Sequence, residues 1–181
     1  MATAKKSTAK KGAAKKPAAT AAAAKTDATA LLERDHRDVK KLFKEYEKLA
    51  DAEASGEERQ ALATQICTML TVHATIEEEI FYPAAREAEV EEDLLDEAEV
   101  EHASAKELIA QIREMQPDEP LYDAKVKVLG EYIDHHVGEE EDELFPKCRD
   151  SAMDLNDLGI RIAARKDELM GEMTEGLEVV G

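Results

Sequence analysis

Tryptophan is absent from this 181-residue chain, which carries only three phenylalanines and four tyrosines. With so few large rings, the interior has to be built from Leu, Ile, Val, Ala and Met. Also missing is any apolar run near the about 18 residues that would span a bilayer. Cysteine is scarce: Cys67 and Cys148 lie far apart and form no Cys-x-x-Cys pair. Two free thiols in a reducing compartment are therefore expected over one long-range disulfide. The opening "MATAKKSTAKKGAAKKPAATAAAAK" lacks the apolar stretch of a secretory signal, so the expected location is the cytoplasm.

What is present is charge, at 36% of residues, with Glu, Ala, Lys and Leu dominant. That composition favours helices over strands, and the length suits one domain of ordinary size. The net charge of −18 hides a split. Residues 1–28 hold seven Lys against one Asp, or +6, and the remainder holds 17 basic against 41 acidic residues, or −24. An acidic body of that strength repels nucleic acid and anionic membranes by itself, whereas the tail attracts both. Residues 1–28 offer no large apolar side chain to bury, so they read as a disordered tail. Their Lys-Lys doublets spaced by Ala resemble the tails of linker histones, which brings weak binding of DNA or another polyanion into view.

From Thr29, read as an N-cap, apolar residues recur at alternating steps of four and three. The first seam is Leu32, His36, Val39, Phe43 and Tyr46. Ser55 and Glu58 form a capping box that opens a second helix, whose seam is Leu62, Ile66, Met69, His73, Ile76 and Ile80. A third helix, about Glu91 to Met115, carries Leu95, Ala98, His102, Ala105, Ile109 and Ile112. A fourth carries Tyr122, Val126, Leu129, Ile133, His136 and Glu140, and Pro146 ends or kinks it. A shorter amphipathic stretch, about Met153 to Met170, is expected to pack outside. The expected fold is all-α, an antiparallel four-helix bundle over residues 29–172 with a short fifth helix, followed by a 173–181 tail.

The halves repeat. His36 and His102 each follow an acid and each have Lys at +4 and Leu at +6. His73 and His136 each have Glu at +4 and Pro at +10, as "HATIEEEIFYP" and "HVGEEEDELFP" show. Each of four seams thus contains one histidine. Four helical residues turn through about 400°, so His73 and Glu77 differ by about 40° around the axis and about 6 Å along it. Both can face one centre, as can His136 and Glu140. Four imidazoles and two carboxylates buried without partners would cost several kcal/mol per ion, a penalty that a bound metal removes. Imidazole nitrogen with carboxylate oxygen suits iron or manganese, and the lack of thiolate argues against structural zinc. The candidate ligands are His36, His73, Glu77, His102, His136 and Glu140, enough for two metals, with His135 kept as an extra ligand or a group behind the ligands. Glu78, Glu79, Glu139, Glu141 and Asp142 read as solvated faces, and Tyr46, Tyr82 and Tyr132 as packing residues.

On these residues, together with "EEIFYP", "EDELFP" and the late "LGIRIAARKDEL", residues 29–170 resemble the hemerythrin-like, or HHE cation-binding, domain family. The resemblance implies a four-helix bundle around a non-haem di-iron centre bridged by two carboxylates and an oxo or hydroxo group. It assigns those ligand roles to the six residues named. Oxygen-carrying hemerythrins of marine invertebrates place a second histidine four residues on in the third helix and an aspartate in the fourth. Here Lys106 and Glu140 stand at those positions, as in bacterial and iron-sensing members. The expected function is a di-iron protein that senses or handles O2, nitric oxide, peroxide or iron. The alternatives are a di-iron enzyme that decomposes peroxide or nitric oxide, and a metal-free helical interaction protein. Nothing in the sequence marks a substrate pocket.

Overall fold

The computed structural model describes residues 27–178. The 1–28 tail reading lies outside them except for Asp27 and Ala28. The regular structure of the described residues is all helical, with no strand among them. The helices are α1 (Ala28–Asp51), α2 (Gly56–Ile76), α3 (Tyr82–Glu87), α4 (Glu92–Glu114), α5 (Tyr122–Glu139), α6 (Phe145–Asp150) and α7 (Leu155–Glu178). None of them is long and apolar enough to cross a membrane.

Side-chain caps start the first two helices. Asp27, rather than Thr29, caps α1: its carboxylate accepts from the Ala30 amide at 3.0 Å and from the Thr29 hydroxyl at 2.7 Å. A carboxylate there also complements the helix dipole, and such a cap contributes about 1 kcal/mol. At α2 the capping box forms as read, with Glu58 N–H donating to Ser55 Oγ at 3.3 Å and Ser55 N–H donating to Glu58 at 3.2 Å.

Short connections return the chain after α1 and after α4. α1 packs against α2 and α5, and α4 against α5 and α2, which closes the antiparallel four-helix ring. α7 lies against α1, α2 and the Glu77–Phe81 segment that follows α2, so it covers one half of the bundle. It runs past the expected limit at Met170. The Leu158, Ile162, Leu169 stripe continues to Met173, which packs on the core, and Gly171 alone costs a helix only about 1 kcal/mol. Leu158, Ile162 and Leu169 are buried, so α7 completes the core.

The prolines do not end their helices. A π-helical turn, Glu77–Phe81, joins α2 to α3, and a second, Glu140–Leu144, joins α5 to α6. In each the amide five residues on, Tyr82 or Phe145, donates to the carbonyl of Glu77 or Glu140. Pro83 and Pro146 follow directly. Proline lacks an N–H and its ring collides with the carbonyl four residues back; the extra residue of a π turn accommodates both. The chain therefore continues through each proline, and the first residue of each widened turn is one of the two glutamates.

Candidate metal centre

The structure brings His36, His73, Glu77, His102, His136 and Glu140 together, all buried, between two apolar clusters. One cluster contains Leu32, Phe81 and Phe145, the other Val39, Ile66 and Leu129. Cys67 and Cys148 fall in opposite clusters, both as free thiols.

The six side chains sort into two sets. In the first, His36 Nε2 is 3.0 Å from His73 Nε2 and 3.3 Å from Glu140 Oε2, and His73 Nε2 is 3.1 Å from Glu77 Oε1. In the second, His102 Nε2 is 3.1 Å from His136 Nε2 and 3.4 Å from Glu77 Oε2. Glu77 thus turns one oxygen toward each histidine pair. Glu140 Oε2 sits between them, 3.3 Å from His36 and 3.5 Å from His136. Within each set the donor atoms lie within 4.8 Å of one another.

Behind the rings stands a layer of carboxylates. His36 Nδ1 faces Glu141 at 2.9 Å, His102 Nδ1 faces Glu78 at 2.9 Å and His136 Nδ1 faces Glu101 at 2.8 Å. His73 Nδ1 lies 3.7 Å from Asp35, beyond hydrogen-bonding length. A neutral imidazole that donates from Nδ1 presents a bare lone pair at Nε2. His102 and His136 are both engaged in this way, and two such lone pairs at 3.1 Å repel unless a proton or a cation lies between them. Glu78 and Glu141, read from sequence as solvated faces, therefore orient histidines, and Lys106 pairs with Glu78 at 2.5 Å. Glu101, the residue before His102, does the same work for His136, and Asp35, the residue before His36, faces His73 at longer range. The signal was in the sequence, since both helices place an acid before the histidine. Glu79 instead pairs with Arg165 at the surface.

Charge is poised accordingly. Burial pulls the His73 imidazole down, but the charges of Glu77, Asp35 and Glu140 outweigh it and raise the pKa to about 10. His136 is lowered by burial and raised further by Glu140 and Glu101, reaching about 8. Burial raises the Glu77 carboxyl, yet the charges of His73 and His102 hold it well below the usual range. Even so, both Glu77 oxygens and Glu140 Oε2 are buried without a hydrogen-bond donor. Polar atoms in that condition are rare in folded proteins and indicate a missing partner. The donor set fits a metal: hard oxygens and imidazole nitrogens converge, with no thiolate among them.

Tyr82, read as packing, belongs to the centre. Its hydroxyl donates to Glu140 Oε1 at 2.9 Å and lies 3.4 Å from His102 Nε2. Burial, then the Glu140 charge, raises its pKa well above the usual value, so it keeps its proton. In the other half Phe145 holds the corresponding place and stacks on His36 at 5.8 Å. The π turn brings Tyr82 inward, a rotation that a regular 3.6-residue period does not reveal. His135 lies apart from the six: it is 66% exposed, and its Nε2 is 3.5 Å from Glu101 and 3.4 Å from Glu139.

A cavity of about 140 Å3 borders all four central histidines, with walls that include Val39, Leu70, Ile109, Ile133 and Val137. Pockets for drug-sized molecules start near about 300 Å3. This one suits an uncharged molecule of a few atoms.

The profile of the hemerythrin HHE cation-binding domain matches residues 27–148. A DNA nickase from a Nostoc species is 32% identical over 121 residues, which is 67% of this chain but 33% of that protein. The chain thus spans about a third of the length of that relative. An uncharacterized protein of Mycobacterium tuberculosis is 25% identical over 158 residues, covering 86% of this chain and 94% of its own. The crystal structure of a hemerythrin HHE cation-binding domain-containing protein from Mycobacterium kansasii aligns with a TM-score of 0.70 and 26% identity, over 84% of this chain and 92% of that one. The repeated histidine–glutamate motifs, the bundle and the matching profile make this chain a member of the hemerythrin HHE cation-binding domain family.

Proposed function

We propose that the chain holds two transition-metal ions, iron first and manganese as the alternative, and uses them to sense or handle O2, nitric oxide, peroxide or iron. The observation that carries this reading is Glu77: fully buried, with both oxygens lacking a donor and each facing a different histidine pair. His36 and His73 would hold one ion, His102 and His136 the other, and Glu77 and Glu140 would span the two. Bound iron would supply redox and Lewis-acid chemistry at the end of the cavity. The chain's own part is to orient the imidazoles through Glu141, Glu78, Glu101 and Asp35, and to keep bulk water out with Phe81 and Phe145, both fully buried. The setting proposed is the cytoplasm, where Cys67 and Cys148 stay reduced.

Elemental analysis of protein made in iron-rich medium, followed by thermal melts before and after chelation, tests the reading. Ligand held at a hundredfold excess over its Kd stabilises by about 2.7 kcal/mol, or roughly 5–10 °C in a protein of this size. A metal-free preparation whose melt is unmoved by iron would favour the plain helical scaffold.

One feature favours a second reading, an enzyme that decomposes peroxide or nitric oxide. The Tyr82 hydroxyl oxygen lies 2.9 Å from Glu140 Oε1 and close to His102, where it can donate a hydrogen bond into the centre. Under this reading iron-loaded protein consumes peroxide catalytically, and Tyr82→Phe slows turnover without changing iron content. The Lys-rich segment 1–28 adds a proposed weak contact with DNA or another polyanion, lost as salt rises. Full-length protein should bind and a chain starting at Thr29 should not; equal binding would remove the segment from the contact.

A further inference from the structure

The face behind the second histidine pair differs from the face behind the first. Counting from the paired histidines, Leu31, Val72, Ile76 and Ile80 of the first half correspond to Glu97, His135, Glu139 and Glu143 of the second. The first group is apolar, at least partly buried, and belongs to the cluster on which α7 packs. The second group runs along α4, α5 and the turn that follows, and among the described residues no helix covers it as α7 covers the first. The acids behind the rings differ too. Asp35 receives a cation from the chain itself, Lys166 Nζ at 2.5 Å. Among the described residues no lysine or arginine pairs with Glu97, Glu101, Glu139 or Glu143; the partners of Glu101 and Glu139 are histidines.

Glu101 faces both ways. Its Oε2 accepts from the buried His136 Nδ1 at 2.8 Å, while its Oε1 lies 3.5 Å from the exposed His135 Nε2. Glu139 Oε1 approaches the same imidazole nitrogen at 3.4 Å, and one donor atom from each of the three residues falls within 4.8 Å of the others. A small crevice of about 10 Å3 is lined by Glu101 and Glu139 of this triad and by His136 and Glu140 of the buried set, with Leu94 and Leu144 beside them. Glu140 is 2% exposed, and its Oε2 has no hydrogen-bond donor.

We propose that Glu101, His135 and Glu139 form an outer cation site that takes a divalent transition ion from solvent and hands it to the buried centre. One imidazole nitrogen and two carboxylate oxygens suit a ferrous or manganous ion. Three ligands open to solvent on one side bind weakly enough to release it. The hand-over rests on the reading of the buried set as a metal centre; the binding of a cation at the outer triad does not.

The test uses metal-free full-length protein and the double variant His135→Ala/Glu139→Gln, whose side chains lie outside the core. Added Mn2+ is counted by the loss of its free-ion electron paramagnetic resonance signal. Added Fe2+ is followed by the rate at which it becomes inaccessible to a colorimetric chelator. The wild type should show a weak class of bound Mn2+ that the variant lacks. The variant should sequester the same final amount of iron severalfold more slowly. Equal Mn2+ binding by both proteins overturns the outer site. Loss of the weak class with an unchanged rate of sequestration overturns the hand-over. If neither protein sequesters iron, the buried-centre reading fails with the hand-over, and the Mn2+ count still decides the outer triad.

Discussion

The helix pair α1–α2 and the helix pair α4–α5 present matching histidines and glutamates to one centre, but what surrounds each pair is different. Behind the first, α7 seals the groove with apolar side chains and Lys166 neutralises Asp35. Behind the second, the described face is carboxylate-lined, and among the described residues the ion-pair partners of Glu101 are histidines. In the centre itself Phe145 stacks on His36, while Tyr82 donates a hydrogen bond from its hydroxyl to Glu140. A repeated motif can therefore preserve the inward-facing donors while the residues one turn outward diverge, apolar behind one half and charged behind the other.

Replacing Glu77 should have the largest effect, since it is the member both halves share. In metal-free protein Glu77→Ala leaves His73 and His102 without their buried counter-charge, and breaking such a pair costs about 3–5 kcal/mol. Chemical denaturation should show that loss, together with the disappearance of bound iron; a change below about 1 kcal/mol would mean that the halves are not coupled through this carboxylate. Next in size is the cover on the first half. Ile162→Ala in α7 removes a side chain that is 1% exposed, at about 2–5 kcal/mol. Glu143→Ala, at the open face of the other half, should stay within about 0.5 kcal/mol. Similar values for the two would erase the distinction between covered and open halves.

Tyr82→Phe removes the donor from Glu140 Oε1 and should destabilise by about 1.5–3 kcal/mol, the range for hydrogen bonds to charged groups. Phe145→Tyr, which places a hydroxyl over His36 instead, should not restore it in the double variant; full restoration would make the two positions interchangeable. The most gradual effect is pH dependence of the metal-free protein. His136 and His73 are raised from 6.5 to about 8 and about 10. A raised folded-state value stabilises fully below 6.5 and loses that contribution as pH climbs through the folded value. Thermal stability should therefore fall between pH 7 and 10, first through the second half and then through the first. A flat or rising profile would contradict the assignment. The same protons must leave when metal binds, so metal uptake at pH 7 should acidify a weakly buffered solution.

Much of this arrangement was legible in the residues alone. One histidine per seam, two of them with glutamate at +4, fixes which side chains can meet, because helical periodicity converts spacing into direction. The bundle follows from the same seams. The π turns were hidden, because a proline after an aromatic reads as a break, and the compensating extra residue leaves no compositional mark. Tyr82 was hidden with them, since its inward rotation depends on that widened turn. Glu78 and Glu141 looked like members of solvated acid runs; only the packing of one helix against another tells which acid of a run reaches an imidazole. The extent of α7 was underestimated because Gly171 suggests an end, while the packed Met173 beyond it carries the helix onward.

The central claim, two ions held between the halves by shared carboxylates, is tested most directly by Mössbauer spectroscopy on protein loaded with isotopically enriched iron, read alongside the iron content per chain. The prediction is a pair of ions per chain whose spins are coupled, seen as quadrupole doublets without magnetic splitting in the oxidised protein at low temperature. Uncoupled paramagnetic iron, or a single ion per chain at saturation, would contradict it.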